Sequence, residues 1–122
     1  MKLFIIFIFF QSLVFSQQTY FITVDGSNQK LEVYNYDFEE LTYEDAKVTC
    51  YNLGNNWRIP TVDEMKSMCI RKKRLNLANK LYWCKSYNTR KQPWSCDIFN
   101  STVFPNYGSH NTCLFRPVRN RF

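Results

Sequence analysis

The chain has 122 residues, of which 18% are aromatic, and its 16 basic and 10 acidic residues give a formal net charge of +6. This length suits one domain and excludes multidomain enzymes, transporters and solenoid repeats. The aromatic content, together with the lack of low-complexity tracts, excludes a disordered chain.

The first sixteen residues are typical of a secretory signal peptide. Lys2 is followed by an apolar run over residues 3–10, and Val14 and Ser16 occupy the positions that a signal peptidase reads. The run is shorter than the about 20 residues that span a bilayer, and an uncleaved N-terminal anchor is the alternative interpretation. We therefore expect a signal peptide at 1–16, a single mature domain at 17–122, and a protein that is secreted, periplasmic or on the cell surface.

The mature chain begins with the pattern of a β-hairpin followed by a helix. Residues 19–24 and 30–34 are β-rich and flank turn-forming residues. Thr42 is placed to cap the helix, and apolar residues then recur at helical spacing, which puts Cys50 on the buried face. Gly54 is expected to end this helix.

A second helix is predicted directly afterwards. Thr61 and Glu64 have the spacing of a capping box, and Cys69 lies on the apolar stripe of this helix. The basic run 71–74 ends it, where cations suit the carboxyl end of the helix dipole.

The rest of the chain is β-like and rich in loops. Strands are predicted at 81–87, 94–99 and 112–118, with a long loop over 100–111. The predicted fold class is therefore α+β, with two helices followed by a short-stranded antiparallel sheet.

The cysteines are expected to form disulfides, because the chain carries an export signal. Zinc is the rival interpretation, but the chain has one histidine and no C-x-x-C pair, so no metal or other cofactor is predicted. Cys84 and Cys96 are equidistant from Arg90 and are placed to face each other across a hairpin. Five cysteines leave at least one thiol unpaired; they stand at positions 50, 69, 84, 96 and 113.

Charge is distributed unevenly along the mature chain. Residues 17–64 contain nine acidic and three basic residues, whereas residues 65–122 contain twelve basic residues and one acidic residue, Asp97. This asymmetry predicts a basic face for an anionic partner, such as acidic or sulfated polysaccharide, an anionic cell envelope or an acidic protein. Nucleic acid is not expected for an exported chain. The alternative is that the basic residues serve only solubility.

Catalysis is not predicted. His110 is the only histidine, so no acid–base pair of histidines can form. The candidates for a catalytic carboxylate pair cluster at the start of the first helix, where acidic side chains suit the helix dipole. Glycine-rich phosphate loops are absent from a sequence with three glycines.

Four motifs follow one another in a recognisable order: A-x-x-x-C at 46–50 with Leu-Gly at 53–54, W-R-I-P-T at 57–61, Y-W-C-K-S at 82–86, and C-L-F-R-P-V-R at 113–119. This order resembles the Lcl C-terminal domain family, bacterial surface and secreted modules related in fold to C-type lectins. The resemblance covers residues 41–119. It implies a C-type-lectin-like fold stapled by disulfides.

The resemblance also implies a disulfide between Cys50 and Cys113, since a first-helix cysteine in such folds typically joins the final-strand region. Cys69 is then the odd thiol. The sequence motifs by which sugar-binding C-type lectins bind calcium are missing, because Pro93 is followed by Trp94 and Asp97 is the only acidic residue after residue 64. Any sugar binding is therefore expected to be calcium-independent.

Together these features predict a non-catalytic, lectin-like binding module that recognises anionic glycan in an adhesion role. Tyr87 and Trp94 are the predicted stacking residues. The predicted cationic contacts are Arg71, Lys72, Lys73, Arg74, Lys80, Lys85, Arg90 and Lys91. The alternative hypothesis is a small disulfide-stapled structural or interaction subunit of a cell-envelope complex.

Overall fold

The structure, a computed structural model, describes residues 18–86 and 92–121. The predicted signal peptide at 1–16 lies outside this part. The elements of the described residues, in chain order, are β1 (Tyr20–Thr23), β2 (Lys30–Val33), β3 (Phe38–Thr42), α1 (Tyr43–Leu53), α2 (Val62–Ile70), β4 (Leu81–Lys85), β5 (Pro93–Asp97), β6 (Thr102–Pro105), β7 (Thr112–Phe115) and β8 (Val118–Arg121). Neither helix is long and apolar enough for a bilayer crossing within these residues.

The strands form two sheets. The smaller sheet has the order β1-β2-β8 and is antiparallel, and the larger has the order β3-β7-β4-β5-β6. In the larger sheet, β4 and β7 are parallel while the other neighbours are antiparallel. Arg58 and Val118 exchange two backbone hydrogen bonds, each with an N···O distance of 2.9 Å. This antiparallel bridge joins the extended segment before α2 to β8.

The predicted α+β, C-type-lectin-like fold stapled by disulfides is wrong. The described chain is mostly β, with eight strands in two sheets and only two helices, and it contains no disulfide. Three of the strands, β3, β6 and β8, fall where the sequence did not predict separate strands. The predicted final strand at 112–118 is divided at Pro117, which lacks the N–H that a continuous ladder requires. β7 and β8 consequently belong to different sheets.

The local predictions in the first half are confirmed. β1 and β2 form the predicted antiparallel hairpin. Thr42 caps α1 by accepting a hydrogen bond from the Asp45 N–H, and Gly54 ends it at φ 72°, a left-handed conformation that suits glycine. Thr61 and Glu64 form both hydrogen bonds of the capping box at the start of α2.

The larger sheet is covered on both faces. Successive side chains of a strand point to opposite faces, and β4 shows the result: Tyr82 and Cys84 belong to a core cluster with α2 and the smaller sheet, whereas Trp83 belongs to a second cluster beneath α1. All three side chains are fully buried. The Trp83 indole N–H donates to the Leu41 carbonyl at 2.7 Å, so the buried polar atom is satisfied.

The cysteine predictions are also wrong. All five cysteines are buried free thiols, so Cys69 is not an odd thiol left over by two bridges. Cys50 and Cys113 share the cluster beneath α1 but are not bonded, and the Cys113 Sγ lies 3.4 Å from the Ser95 hydroxyl instead. Burial raises the pKa of Cys50 to about 12. These thiols therefore pack as small apolar side chains.

The hairpin register explains why Cys84 and Cys96 do not meet. β4 and β5 pair antiparallel as predicted, but Cys84 stands opposite Trp94, and Cys96 stands opposite Tyr82. The two cysteines are thus diagonal neighbours on one face rather than direct partners. Burial also raises the pKa of Cys96 to about 12.

Candidate functional site

Part of the basic half of the chain is neutralised by the acidic half. Three ion pairs cross between them: Arg71 with Asp25 at 2.9 Å, Arg116 with Asp37 at 2.9 Å, and Arg119 with Glu32 at 2.8 Å. A cation held in such a pair is less available to an external anion. The basic surface is therefore smaller than the charge count of the sequence indicates.

What remains of the predicted cationic set is concentrated after α2. Within the described residues, Lys72, Lys73, Arg74 and Lys80 have no carboxylate partner at salt-bridge distance. Lys72 and Lys73 line an open groove of about 470 Å³. The remaining residues that line this basic groove are Asn76, Leu77, Asn79 and Phe99.

The wall of the basic groove is a tight turn that follows α2. The Leu75 N–H donates to the Arg71 carbonyl at 2.9 Å, and the Leu77 N–H donates to the Lys72 carbonyl at 2.9 Å. Asn76 adopts φ 57°, a left-handed conformation that asparagine tolerates better than most residues. The Leu75 side chain is fully buried and anchors the turn in the core. The lysines are thus presented by a defined backbone.

A buried polar network holds the same turn from below. Arg116 is 1% exposed, and its guanidinium donates to the carbonyls of Leu75 at 2.8 Å and Asn76 at 3.3 Å. Its Nε donates to Asp37 at 2.9 Å. Each nitrogen of this buried guanidinium therefore donates at least one hydrogen bond, and the charge is paired with a carboxylate. Pairing and hydrogen bonding are the conditions under which a charge can be buried at tolerable cost.

Tyr82 completes this network. Its hydroxyl donates to Asp37 at 2.6 Å and accepts the Ala78 N–H at 2.8 Å. Burial, together with the hydrogen bond to Asp37, raises the pKa of Tyr82 well above its ordinary value. The hydroxyl stays protonated at neutral pH and continues to donate.

Phe99 is a groove residue that the sequence analysis missed. Its side chain is 68% exposed, next to the fully buried Ile98. Asp97 holds the turn by accepting from the Phe99 N–H at 3.0 Å and from the Asn100 side-chain amide at 2.9 Å. Ile98 and Phe99 lie in the turn after β5, so the alternation of a strand gave no signal for the exposure of Phe99.

Arg71 and Arg74 face a different groove. Together with Lys30 and Phe21 they line an open concavity of about 300 Å³, and the Arg74 guanidinium donates to the Phe21 carbonyl at 2.8 Å. Arg121 stacks over the Phe21 ring at 4.6 Å. The run 71–74 therefore divides its charge between two adjoining surfaces.

The remaining predicted site residues are dispersed. Trp94 is half-buried and packs against the core, opposite Cys84, so it does not line the basic groove. Lys85 lines a separate pocket beside α1. Lys80 is exposed. Three predicted residues, Tyr87, Arg90 and Lys91, lie outside the described part of the chain.

No cluster of three or more His, Cys, Asp or Glu side chains suited to a metal ion occurs within residues 18–86 and 92–121. The basic groove presents the ammonium groups of Lys72 and Lys73, the side-chain amides of Asn76 and Asn79, and the exposed ring of Phe99. The ammonium groups can donate charge-assisted hydrogen bonds to an anion. No protein-family model matches this chain, and no curated protein matches it either.

Proposed function

We propose that the protein is a secreted or surface-exposed, non-catalytic binding module that recognises anionic glycan in an adhesion role, without calcium. The observation that carries this proposal is the basic groove, where Lys72 and Lys73 have no acidic partner among the described residues and stand beside an exposed Phe99. Its location outside the cytoplasm depends on the signal-like segment at 1–16.

The chemistry of the groove suits a charged sugar. The lysines supply charge-assisted hydrogen bonds to sulfate or carboxylate oxygens. The amides of Asn76 and Asn79 supply both donors and acceptors for sugar hydroxyls. The face of Phe99 offers an apolar surface for the C–H groups of a pyranose ring.

Heparin affinity chromatography tests the proposal. In the double variant Lys72→Gln/Lys73→Gln, elution is expected at clearly lower salt, because fewer counterions are released on binding. Phe99→Ser is expected to weaken retention with little change in salt dependence, since it removes apolar contact rather than charge. Lys66→Gln, which removes a lysine from α2 outside the groove, is the matched control.

One result of this chromatography would refute the proposal. Equal elution of the wild type and of the double variant refutes the basic groove as the glycan site. A glycan array at two salt concentrations then shows whether any glycan binds. If no glycan binds and protein partners are retained in high salt, the interaction-subunit hypothesis is favoured.

A further inference from the structure

The pocket beside α1, which Lys85 lines, has a chemistry different from that of the basic groove. Tyr43, Tyr51, Trp57 and Ile59 form its walls, and the volume is about 220 Å³. This volume lies below the roughly 300 Å³ at which drug-sized sites begin. An occupant must therefore be small and have an apolar, preferably aromatic body.

The walls of this aromatic pocket are well defined except on one side. Trp57 is only 9% exposed and is held between Tyr34, at 5.0 Å between ring centroids, and the Arg119 guanidinium at 4.4 Å. Tyr43 packs edge-to-face on Trp83 at 5.4 Å. Tyr51, in contrast, is 83% exposed, so its ring is the side that an occupant would cover.

The charged groups of the lining are all cationic. Arg58 is already committed, because its guanidinium forms a bidentate pair with Glu64 at 2.6 and 2.8 Å. Lys47 is held by two weak contacts: its Nζ lies 3.2 Å from Glu44, whose side chain is 77% exposed, and 5.3 Å from the centre of the Tyr43 ring. Exposed ion pairs and exposed cation–π contacts each contribute about 1 kcal/mol or less. The ammonium of Lys47 can therefore turn to an anion in the pocket at small cost.

Lys85 is the third cation of the lining, after Arg58 and Lys47. Its influence reaches the pocket floor, where it lowers the pKa of Cys50 against the larger raising effect of burial. Since Lys47 and Lys85 are contributed by different elements, α1 and β4, a carboxylate between them would be attracted from two sides.

The lining also argues against a sugar. Among its described residues there is no Asn, Gln, Ser, Thr, Asp or Glu side chain, and these are the groups that satisfy a row of sugar hydroxyls. We propose that the aromatic pocket binds a small aromatic carboxylate, with its ring between Tyr51 and Trp57 and its carboxylate at Lys47 and Lys85. This site is independent of the glycan proposal, because none of its residues lines the basic groove.

Benzoate and its uncharged isostere benzamide test the proposal, titrated into the purified protein and followed by ligand-observed NMR. Benzoate is expected to bind about tenfold more tightly than benzamide, the factor that one charge-assisted hydrogen bond supplies. The double variant Lys47→Gln/Lys85→Gln is expected to reduce benzoate affinity to that of benzamide. Tyr51→Ser, a substitution at the surface, should weaken both ligands.

Three controls test the specificity of benzoate binding. Lys66→Gln and Lys72→Gln should leave benzoate binding unchanged, and inorganic sulfate should not displace benzoate at equal ionic strength. The proposal is overturned if neither ligand binds, if benzoate and benzamide bind equally to the wild type, or if Lys72→Gln weakens benzoate as much as Lys47→Gln does. Because Tyr51→Ser leaves the core untouched, loss of folding cannot account for its effect.

Discussion

Arg116 is expected to be the single most sensitive charged residue of the described chain. Its side chain is 1% exposed and donates to Asp37 and to the carbonyls of Tyr34, Leu75 and Asn76. Substitution by methionine keeps most of the volume but leaves the Asp37 carboxylate and three carbonyls without this donor. Removing one partner of a buried ion pair costs about 3–5 kcal/mol.

That cost is a large share of the stability of a small domain, about 5–15 kcal/mol. Urea denaturation followed by tryptophan fluorescence measures it, and Tm should fall by roughly 4–8 °C for each kcal/mol lost. Lys47→Met, which breaks the exposed pair with Glu44, is the matched control and should cost less than about 1 kcal/mol. Adding Asp37→Asn to Arg116→Met should recover part of the loss, because it removes the uncompensated carboxylate.

The same variant tests whether the network shapes the basic groove. Folded Arg116→Met protein, assayed well below its Tm, should elute from heparin at lower salt than the wild type although Lys72 and Lys73 are intact. A loss of stability below about 1 kcal/mol would refute the assignment of Arg116 as the support of the turn, since buried pairs broken on one side cost more than this.

Three further predictions follow from the helix starts, the buried carboxylate and the thiols. Thr61→Ala should destabilise the protein by about 1 kcal/mol in urea denaturation, because it removes the acceptor of the capping box, and an unchanged midpoint would contradict that role. Burial acts to raise the pKa of Glu64, but the hydrogen bonds from Arg58 hold this pKa below the ordinary 4.5. The contribution of the ionised Glu64 to folding stability is therefore present above pH 4.5 and is lost as the pH falls through the lowered pKa. Glu64→Gln should therefore flatten the acid limb of a stability–pH curve, and an unaltered limb would contradict this. Burial raises the pKa of Cys50 and Cys96 to about 12, so iodoacetamide at mildly alkaline pH should label neither thiol in the native protein. In urea it should label all five cysteines, as measured by mass spectrometry. Rapid labelling of Cys50 in the native protein would disprove its burial.

The elements that the sequence predicted correctly are those whose signals are local. The Thr61–Glu64 capping box spans three residues and forms as predicted. Gly54 is required by the backbone conformation of a helix end, so it marks that end without reference to the rest of the chain. The hairpin of β1 and β2 depends on one short turn. Such features depend on little tertiary context.

The errors arise where distant segments decide the structure. β3 is a strand because Phe38 and Leu41 pair with β7, more than seventy residues later, and no local pattern shows that partner. β8 pairs with β2 across a still longer separation in the sequence. The prediction of a Cys84–Cys96 disulfide failed for a different, local reason, since the β4–β5 hairpin register sets Cys84 opposite Trp94 rather than Cys96. A shift of two residues preserves the face but removes the direct contact.

The candidate site depends both on local sequence signals and on contacts between distant segments. The run of cations after α2 is a local feature and was predicted. How many of these cations are available to an external anion depends on which of them the fold pairs with acidic residues. Arg71 meets Asp25 across forty-six positions, so it is partly neutralised, whereas Lys72 and Lys73, one and two residues further on, are not paired within the described chain. Net charge per segment therefore overestimates a binding surface whenever oppositely charged segments of one chain pack together. What distinguishes the basic groove is that a local pair of lysines stands on a turn held by a non-local buried arginine, so binding and folding stability are expected to respond together when Arg116 is changed.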